Sequence, residues 1–293
     1  MNKTALAIVL SLLSLTLFDI MGLIIKYLSP HYSAVELSAW RNAFGLVPSV
    51  IALWSSRNWH NSGRPLVIRQ WRLAMFRGLC ITFAQLAFYL SLGIMAFATA
   101  TTITYANALF VTALAVPILG ERVGLWRWAA VMVGFAGVIM VVGPGRDAFS
   151  LAAFLPLAAA FLYAMAAVTA QRLDADVPTP LANLYSTGIA LVGSVTMAIA
   201  WGGFTQVASG TDLFWLVTMG AVGGSAVLLL VSAYRMTEQS NLAPFSYFGI
   251  PLAFVMGWIV FDENPWRDLF PGSILIIAGG LMIIWRERRL IKR

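Results

Sequence analysis

The chain has 293 residues, of which 60% are hydrophobic and 11% charged, with a mean hydropathy of +0.83 and a formal net charge of +7. A soluble domain carries about 25% charged residues, so an aqueous surface all round is excluded. The apolar runs are continuous rather than alternating, which excludes a porin-like barrel, and the single cysteine, Cys80, excludes an internal disulfide or a multi-cysteine metal site.

A bilayer core of about 30 Å takes roughly 20 apolar residues in a helix. On that measure the sequence predicts spans at about 5–28, 35–54, 73–92, 99–118, 127–143, 150–170, 180–201, 212–233, 241–260 and 269–285. Met1-Asn2-Lys3 resembles the lead of a signal peptide. Asp19 interrupts the apolar stretch behind it, and the segment reads as an uncleaved first span. With the N-terminus inside, 14 of the 19 Lys and Arg residues fall in cytoplasmic segments. Arg146 and Arg267 fall outside, while Lys26, Arg41 and Arg77 lie within spans. This bias predicts ten spans with both termini cytoplasmic. It also accounts for the positive charge without nucleic acid.

Along the chain, polar side chains enter the spans at a few places. Asp19 and Lys26 lie in the first, Arg41 in the second, Gln85 and Tyr89 in the third, and Tyr105 and Asn107 in the fourth. Tyr163 lies in the sixth and Tyr247 in the ninth. An acid within a span costs at least about 2.5–3.5 kcal/mol, so Asp19 is expected to face a cavity or a partner. It reads either as a site for a substrate ammonium group or proton, or as a structural cap. Lys26 and Arg41 read as side chains that snorkel to the headgroups or as anchors for a substrate carboxylate. Tyr89, Tyr105, Tyr163 and Tyr247 offer donors and aromatic walls, although helix–helix hydrogen bonding explains many such groups. Nine of the tryptophans, among them Trp40, Trp59 and Trp126, lie near span ends, where interfacial anchoring explains them.

A weak repeat runs through the sequence. With a shift of 142, Tyr105 meets Tyr247, Glu121 meets Glu263, Gly137 meets Gly279 and Met140 meets Met282. Five spans per half put the halves in opposite orientations, with a substrate site between them. The expected halves are residues 1–146 and 147–293. Gly220 and Gly224 form a GxxxG in the eighth span. Pro244 and Pro251 bracket Tyr247 and mark the ninth span as a candidate gate.

The segments Pro117-Ile118-Leu119-Gly120-Glu121-Arg122 and Ser246-Tyr247-Phe248-Gly249-Ile250-Pro251, with Gly134, Gly137, Glu263, Gly279 and Gly280, resemble the drug/metabolite transporter superfamily of EamA type. Leu90-Ser91-Leu92-Gly93 and Ser246-Tyr247-Phe248 are similar to YddG-type amino acid exporters. Pro251 has no counterpart at Leu109, a departure from symmetry between the halves.

The resemblance implies an all-α integral membrane protein of ten helices in two inverted five-helix repeats, in a bacterial inner membrane. It would export amino acids, aromatic and other neutral ones, by alternating access. Asp19, Arg41, Gln85, Tyr89, Tyr105, Asn107, Tyr163 and Tyr247 are the expected substrate-binding residues. The expected partners are an amino acid and the lipid bilayer; a monomer is compatible with the sequence, and the oligomeric state is left open. No cofactor, metal or catalytic residue is expected: the two histidines, His31 and His60, lie outside the spans, and no HExxH or Gly-x-Ser-x-Gly is present. Proton-coupled efflux of hydrophobic cations is the alternative, since Asp19 among aromatics also suits a cation.

Overall fold

A computed structural model describes residues 3–61, 63, 66–120, 125–142, 151–170, 172–173, 177–236, 245, 247–263 and 269–291. Among these the secondary structure is helical, with no strand. The expected junction of the halves at 146–147 lies outside the described residues, as do Glu121, Arg122, Arg146, Pro244, Ser246 and Arg267.

The first half of the chain forms α1 (Lys3–Leu28), α2 (Ala34–Trp54), the short α3 (Arg57–Asn61), α4 (Trp71–Ile94), α5 (Phe97–Thr104), α6 (Asn107–Leu119) and α7 (Leu125–Val142). After a 3₁₀ turn at Leu151–Ala153 follow α8 (Phe154–Ala170), α9 (Thr179–Ala200), α10 (Gly210–Met236), α11 (Gly249–Phe261) and α12 (Gly272–Ile291). Among the described residues six stretches are long and apolar enough to cross a membrane: Ala5–Leu28, Trp71–Ile94, Phe97–Leu119, Leu151–Ala170, Pro180–Ala200 and Gly210–Leu230. Two shorter apolar helices, Trp128–Val141 and Gly249–Phe261, accompany them. Helix α2 carries Glu36, Arg41 and Asn42, all turned inward and buried. At 21 residues it is about 31 Å long. Large apolar side chains such as Ile51, Met132, Val192, Ile199 and Ile259 are exposed on the outside, the arrangement of a protein whose solvent is lipid.

Local sequence sets the helix ends. Ser33 caps α2 through a reciprocal pair, its Oγ accepting from the Glu36 N–H at 3.4 Å while its own N–H donates to Glu36 Oε2 at 2.7 Å. Gly120 closes α6 in the left-handed conformation (φ 71°), and Asp262 closes α11 likewise (φ 53°).

The expected uninterrupted span at 99–118 is instead two helices that meet at Tyr105 and Ala106. There the backbone tightens into i→i−3 bonds, Ala106 N–H to Ile103 O and Ala108 N–H to Tyr105 O. The same bonds recur 142 residues later, from Phe248 to Phe245 and from Ile250 to Tyr247.

Helix pairing places α1 against α10, α2 against α9 and α10, α4 against α8 and α9, and α7 against α12. Ser14 Oγ ties α1 to the Ala226 carbonyl at 2.7 Å, and Asn183 Nδ2 ties α9 to Ser49 Oγ of α2 at 2.8 Å. One apolar cluster gathers Met21, Ile25, Leu37, Leu92, Phe97 and Met219. A second gathers Ile103, Leu109, Val138, Tyr247, Ile250 and Ile276. The space between the clusters holds the polar groups.

Candidate functional site

A cavity of about 680 Å³ opens between the helices. Its walls come from α1, α2, α4, the α5–α6 turn, α8, α9 and α10, together with Tyr247 ahead of α11. One end is bounded by Met21, Gly22 and Phe97, and the cavity reaches Leu173 and Val177 in the α8–α9 connection. Asp19, Arg41, Gln85, Tyr89, Tyr105, Asn107, Tyr163 and Tyr247 all line it. The four tyrosines therefore share one space although they come from α4, the α5–α6 turn, α8 and the approach to α11.

Two opposite charges in this wall, Asp19 and Arg41, are not paired with each other among the described residues. Asp19 is 4% exposed, and its Oδ2 finds no hydrogen-bond partner among the described residues. Arg41 is 7% exposed; its Nη1 donates to Asn42 Oδ1 at 3.0 Å, while Nε finds no partner. The cavity thus carries opposite charges and four phenols in one lining. Leaving a buried ion without a fixed counter-ion is costly, and a ligand that supplies the counter-charges offsets that cost only while bound.

Arg41 is held from behind by a network of amides and a hydroxyl. Asn42 Nδ2 donates to Gln85 Oε1 at 2.8 Å, and Gln85 Nε2 returns a bond to Asn42 Oδ1 at 3.2 Å. Ser38 Oγ also donates to Gln85 Oε1, at 2.9 Å. Ser38 and Asn42 are buried completely or nearly so. Gln85, expected to touch substrate, spends most of its hydrogen-bonding capacity on this network. Ser38 and Asn42 were missed by sequence reasoning, although their i, i+4 spacing beside Arg41 puts them on one face of α2. Arg77, also in the cavity wall, was counted in a span without being given a role.

Lys26 neither snorkels nor lines the cavity. Its ammonium forms an ion pair with Glu263 Oε1 at 2.6 Å and donates to the Met95 carbonyl at 2.6 Å. Glu263 Oε2 accepts from the Phe97 N–H at 2.7 Å. The pair joins α1, the α4–α5 turn and the end of α11, and the Phe97 ring rests against Gly22 beneath it. That end of the cavity is closed. Trp59 also departs from expectation: at 5% exposed it packs with Leu53, Ile68 and Leu181 instead of anchoring at an interface.

Comparison with known proteins gives a consistent class. The EamA-like transporter family matches twice, over residues 5–143 and 150–285. An S-adenosylmethionine uptake transporter of Rickettsia felis is 26% identical over 287 residues, covering 97% of this chain and 93% of its own. A riboflavin transporter of Vibrio cholerae is 29% identical over 179 residues, covering 60% of this chain and 58% of its own. The pseudopaline exporter CntI of Pseudomonas aeruginosa is 23% identical and covers 94% of this chain and 93% of its own. A crystal structure superposes with a TM-score of 0.67 at 17% identity, covering 97% of this chain and 98% of its own; at that identity the likeness is one of fold.

Proposed function

The chain belongs to the EamA-like transporter family of the drug/metabolite transporter superfamily, and from that premise we propose that it carries small metabolites bearing an amino-acid head group, amino acids foremost, across a bacterial inner membrane. The observation that carries this reading is the pair of opposite charges, Asp19 and Arg41, that form no ion pair with each other in one cavity walled by four tyrosines. An ammonium group is matched by Asp19 and Tyr105, and a carboxylate by Arg41 with Tyr89 and Tyr163. The tyrosine rings accommodate a flat or apolar remainder. S-adenosylmethionine, the compound in the name of the Rickettsia relatives, also carries an ammonium and a carboxylate on one carbon.

The proposed route is alternating access between two inverted halves, 1–146 and 147–293, through ten spans with both termini cytoplasmic. The double family match and the hydrogen bonds repeated at a shift of 142 support two halves of common design. The bias of Lys and Arg supports the orientation. In that frame the closed end at Lys26 and Glu263 faces outward, and the cavity reaches the cytoplasmic side through the α8–α9 connection. Export is the proposed direction, supported by the similarity of residues 90–93 and 246–248 to YddG-type exporters.

Reconstitution in liposomes with labelled neutral amino acids, with and without a pH gradient, tests this reading. Saturable flux competed by other amino acids is expected, and Asp19→Asn should abolish most of it while inserting normally. Absence of amino acid flux, alongside movement of a hydrophobic cation, would replace this reading with cation efflux.

A further inference from the structure

Resting on the transport reading above, we propose that the cavity selects substrates carrying one negative charge more than a neutral amino acid, with Arg77 receiving the second anionic group. Among the described residues lining the cavity the charged side chains are Asp19, Arg41 and Arg77. One carboxylate stands against two guanidinium groups, so the described residues of the wall carry a formal charge of +1. Protonation of Asp19 would raise that excess rather than cancel it.

The ion pair found among the described residues is Lys26 with Glu263, so neither arginine is neutralised by an acid there. Arg77 Nε donates to the Ala166 carbonyl of α8 at 3.0 Å, which steers the planar guanidinium into the cavity and leaves its outer edge for a second donor pair. The fork of donors on a guanidinium matches a carboxylate. Arg77 lies six residues into α4 after Trp71, against Ala166 of the wall. Arg41 belongs to the deeper network with Asn42 and Gln85. The two cations therefore serve two carboxylates, with Asp19 serving the ammonium. A substrate with a net positive charge meets a like-charged wall, a cost that the desolvated setting enlarges. On this ground the chain departs from the chemistry of hydrophobic cations and of S-adenosylmethionine, whose sulfonium gives it a net positive charge.

Glutamate, glutamine and glutarate separate the charges, with binding read from thermal stabilisation of the purified full-length protein. Glutamate should half-saturate at a concentration about tenfold below glutamine. Arg77→Gln should erase that difference while leaving glutamine within about twofold, and Arg77→Lys should restore part of it. Equal or better binding of glutamine by the unaltered protein overturns the proposal. An equal loss for both ligands in Arg77→Gln also overturns it, since that is the signature of an arginine that merely caps α8. Asp174 and Asp176, outside the described residues, are neutralised together as a control, and a preference that follows them instead of Arg77 again overturns it. Glutarate has two carboxylates and no ammonium. Arg77-dependent stabilisation by glutarate, with neither amino acid active, upholds the anionic selection and overturns the amino-acid reading. No Arg77-dependent stabilisation by any of the three overturns the selection itself.

Discussion

Asn42 carries no charge and touches two of the cavity's polar side chains at once. Its amide accepts from Arg41 and from Gln85 and donates to Gln85, all out of contact with water. Removing it strands donors and acceptors whose desolvation costs roughly 1–3 kcal/mol each. Asn42→Ala should therefore lower the thermal midpoint as well as transport. Asn42→Asp is more informative. It keeps an acceptor for Arg41 but gives that cation a fixed counter-ion. If Arg41 is reserved for a substrate carboxylate, Asn42→Asp should lower the thermal midpoint somewhat, because Gln85 Oε1 loses its amide donor, and raise the KM for an amino acid by about tenfold or more. An unchanged KM in a well-folded Asn42→Asp protein would remove Arg41 from the site. Asp19 and Arg41 were legible in the sequence because a charge in an apolar span demands a reason. Asn42 was not, because a neutral amide in a span is common and its partner Gln85 lies 43 residues away on another helix.

At the scale of helices, the break between α5 and α6 has no glycine or proline at Tyr105 and Ala106 to announce it. The run before it is rich in threonine, and the Thr104 hydroxyl bonds back to the Ala100 carbonyl at 2.9 Å, which loosens a helix. Tyr105 then packs its hydroxyl into the space that a Cβ would occupy on Gly249. The broken span and the start of α11 are thus fitted to each other. Gly249→Ala should destabilise by roughly 1–3 kcal/mol, and Tyr105→Ala in the same chain should recover part of that loss; additive effects would show that the two sites are not coupled. Pro251 misled in the opposite direction. Pro251 sits in the first turn of α11, where its missing N–H has no helical acceptor to lose. It bends nothing there.

The glycines of the α7–α12 pair were legible as repeat positions, but not the close contacts they make. A Cβ on Gly137 would lie 2.6 Å from the Gly272 carbonyl oxygen, and one on Gly279 would lie 2.7 Å from that of Ala130. Those contacts exchange under the same shift of 142, as a two-fold relation requires. Gly137→Ala should lower the thermal midpoint clearly, whereas Gly188→Ala, with open space around its Cβ, should leave it within measurement. Similar midpoints for the two variants would argue against direct backbone contact between α7 and α12.

For the molecule as a whole, the charged closure at one end of the cavity has more than Coulomb attraction behind it. Lys26 supplies a donor to Met95 O, and Glu263 supplies an acceptor to Phe97 N–H. The ion pair therefore also satisfies the backbone at the α4–α5 turn, and it seats Phe97 over the cavity. In the proposed transport cycle this closure has to open, and its strength sets how often it does. Glu263→Gln weakens the pair while keeping an acceptor for Phe97; Lys26→Met removes the pair and the bond to Met95. The second should open that end more than the first. With Cys80 replaced by serine, a single cysteine at Thr101 reports the opening by its reaction with an impermeant thiol reagent. Reaction should quicken several-fold in Lys26→Met. The charge-reversed pair, Lys26→Glu with Glu263→Lys, should slow it only in part, because attraction returns while a glutamate cannot donate to Met95 O nor a lysine accept from Phe97 N–H. Full restoration by charge reversal would reduce the closure to simple Coulomb attraction. Unaltered reaction in Lys26→Met would mean that Phe97 and the helices around it hold that end shut without the ion pair.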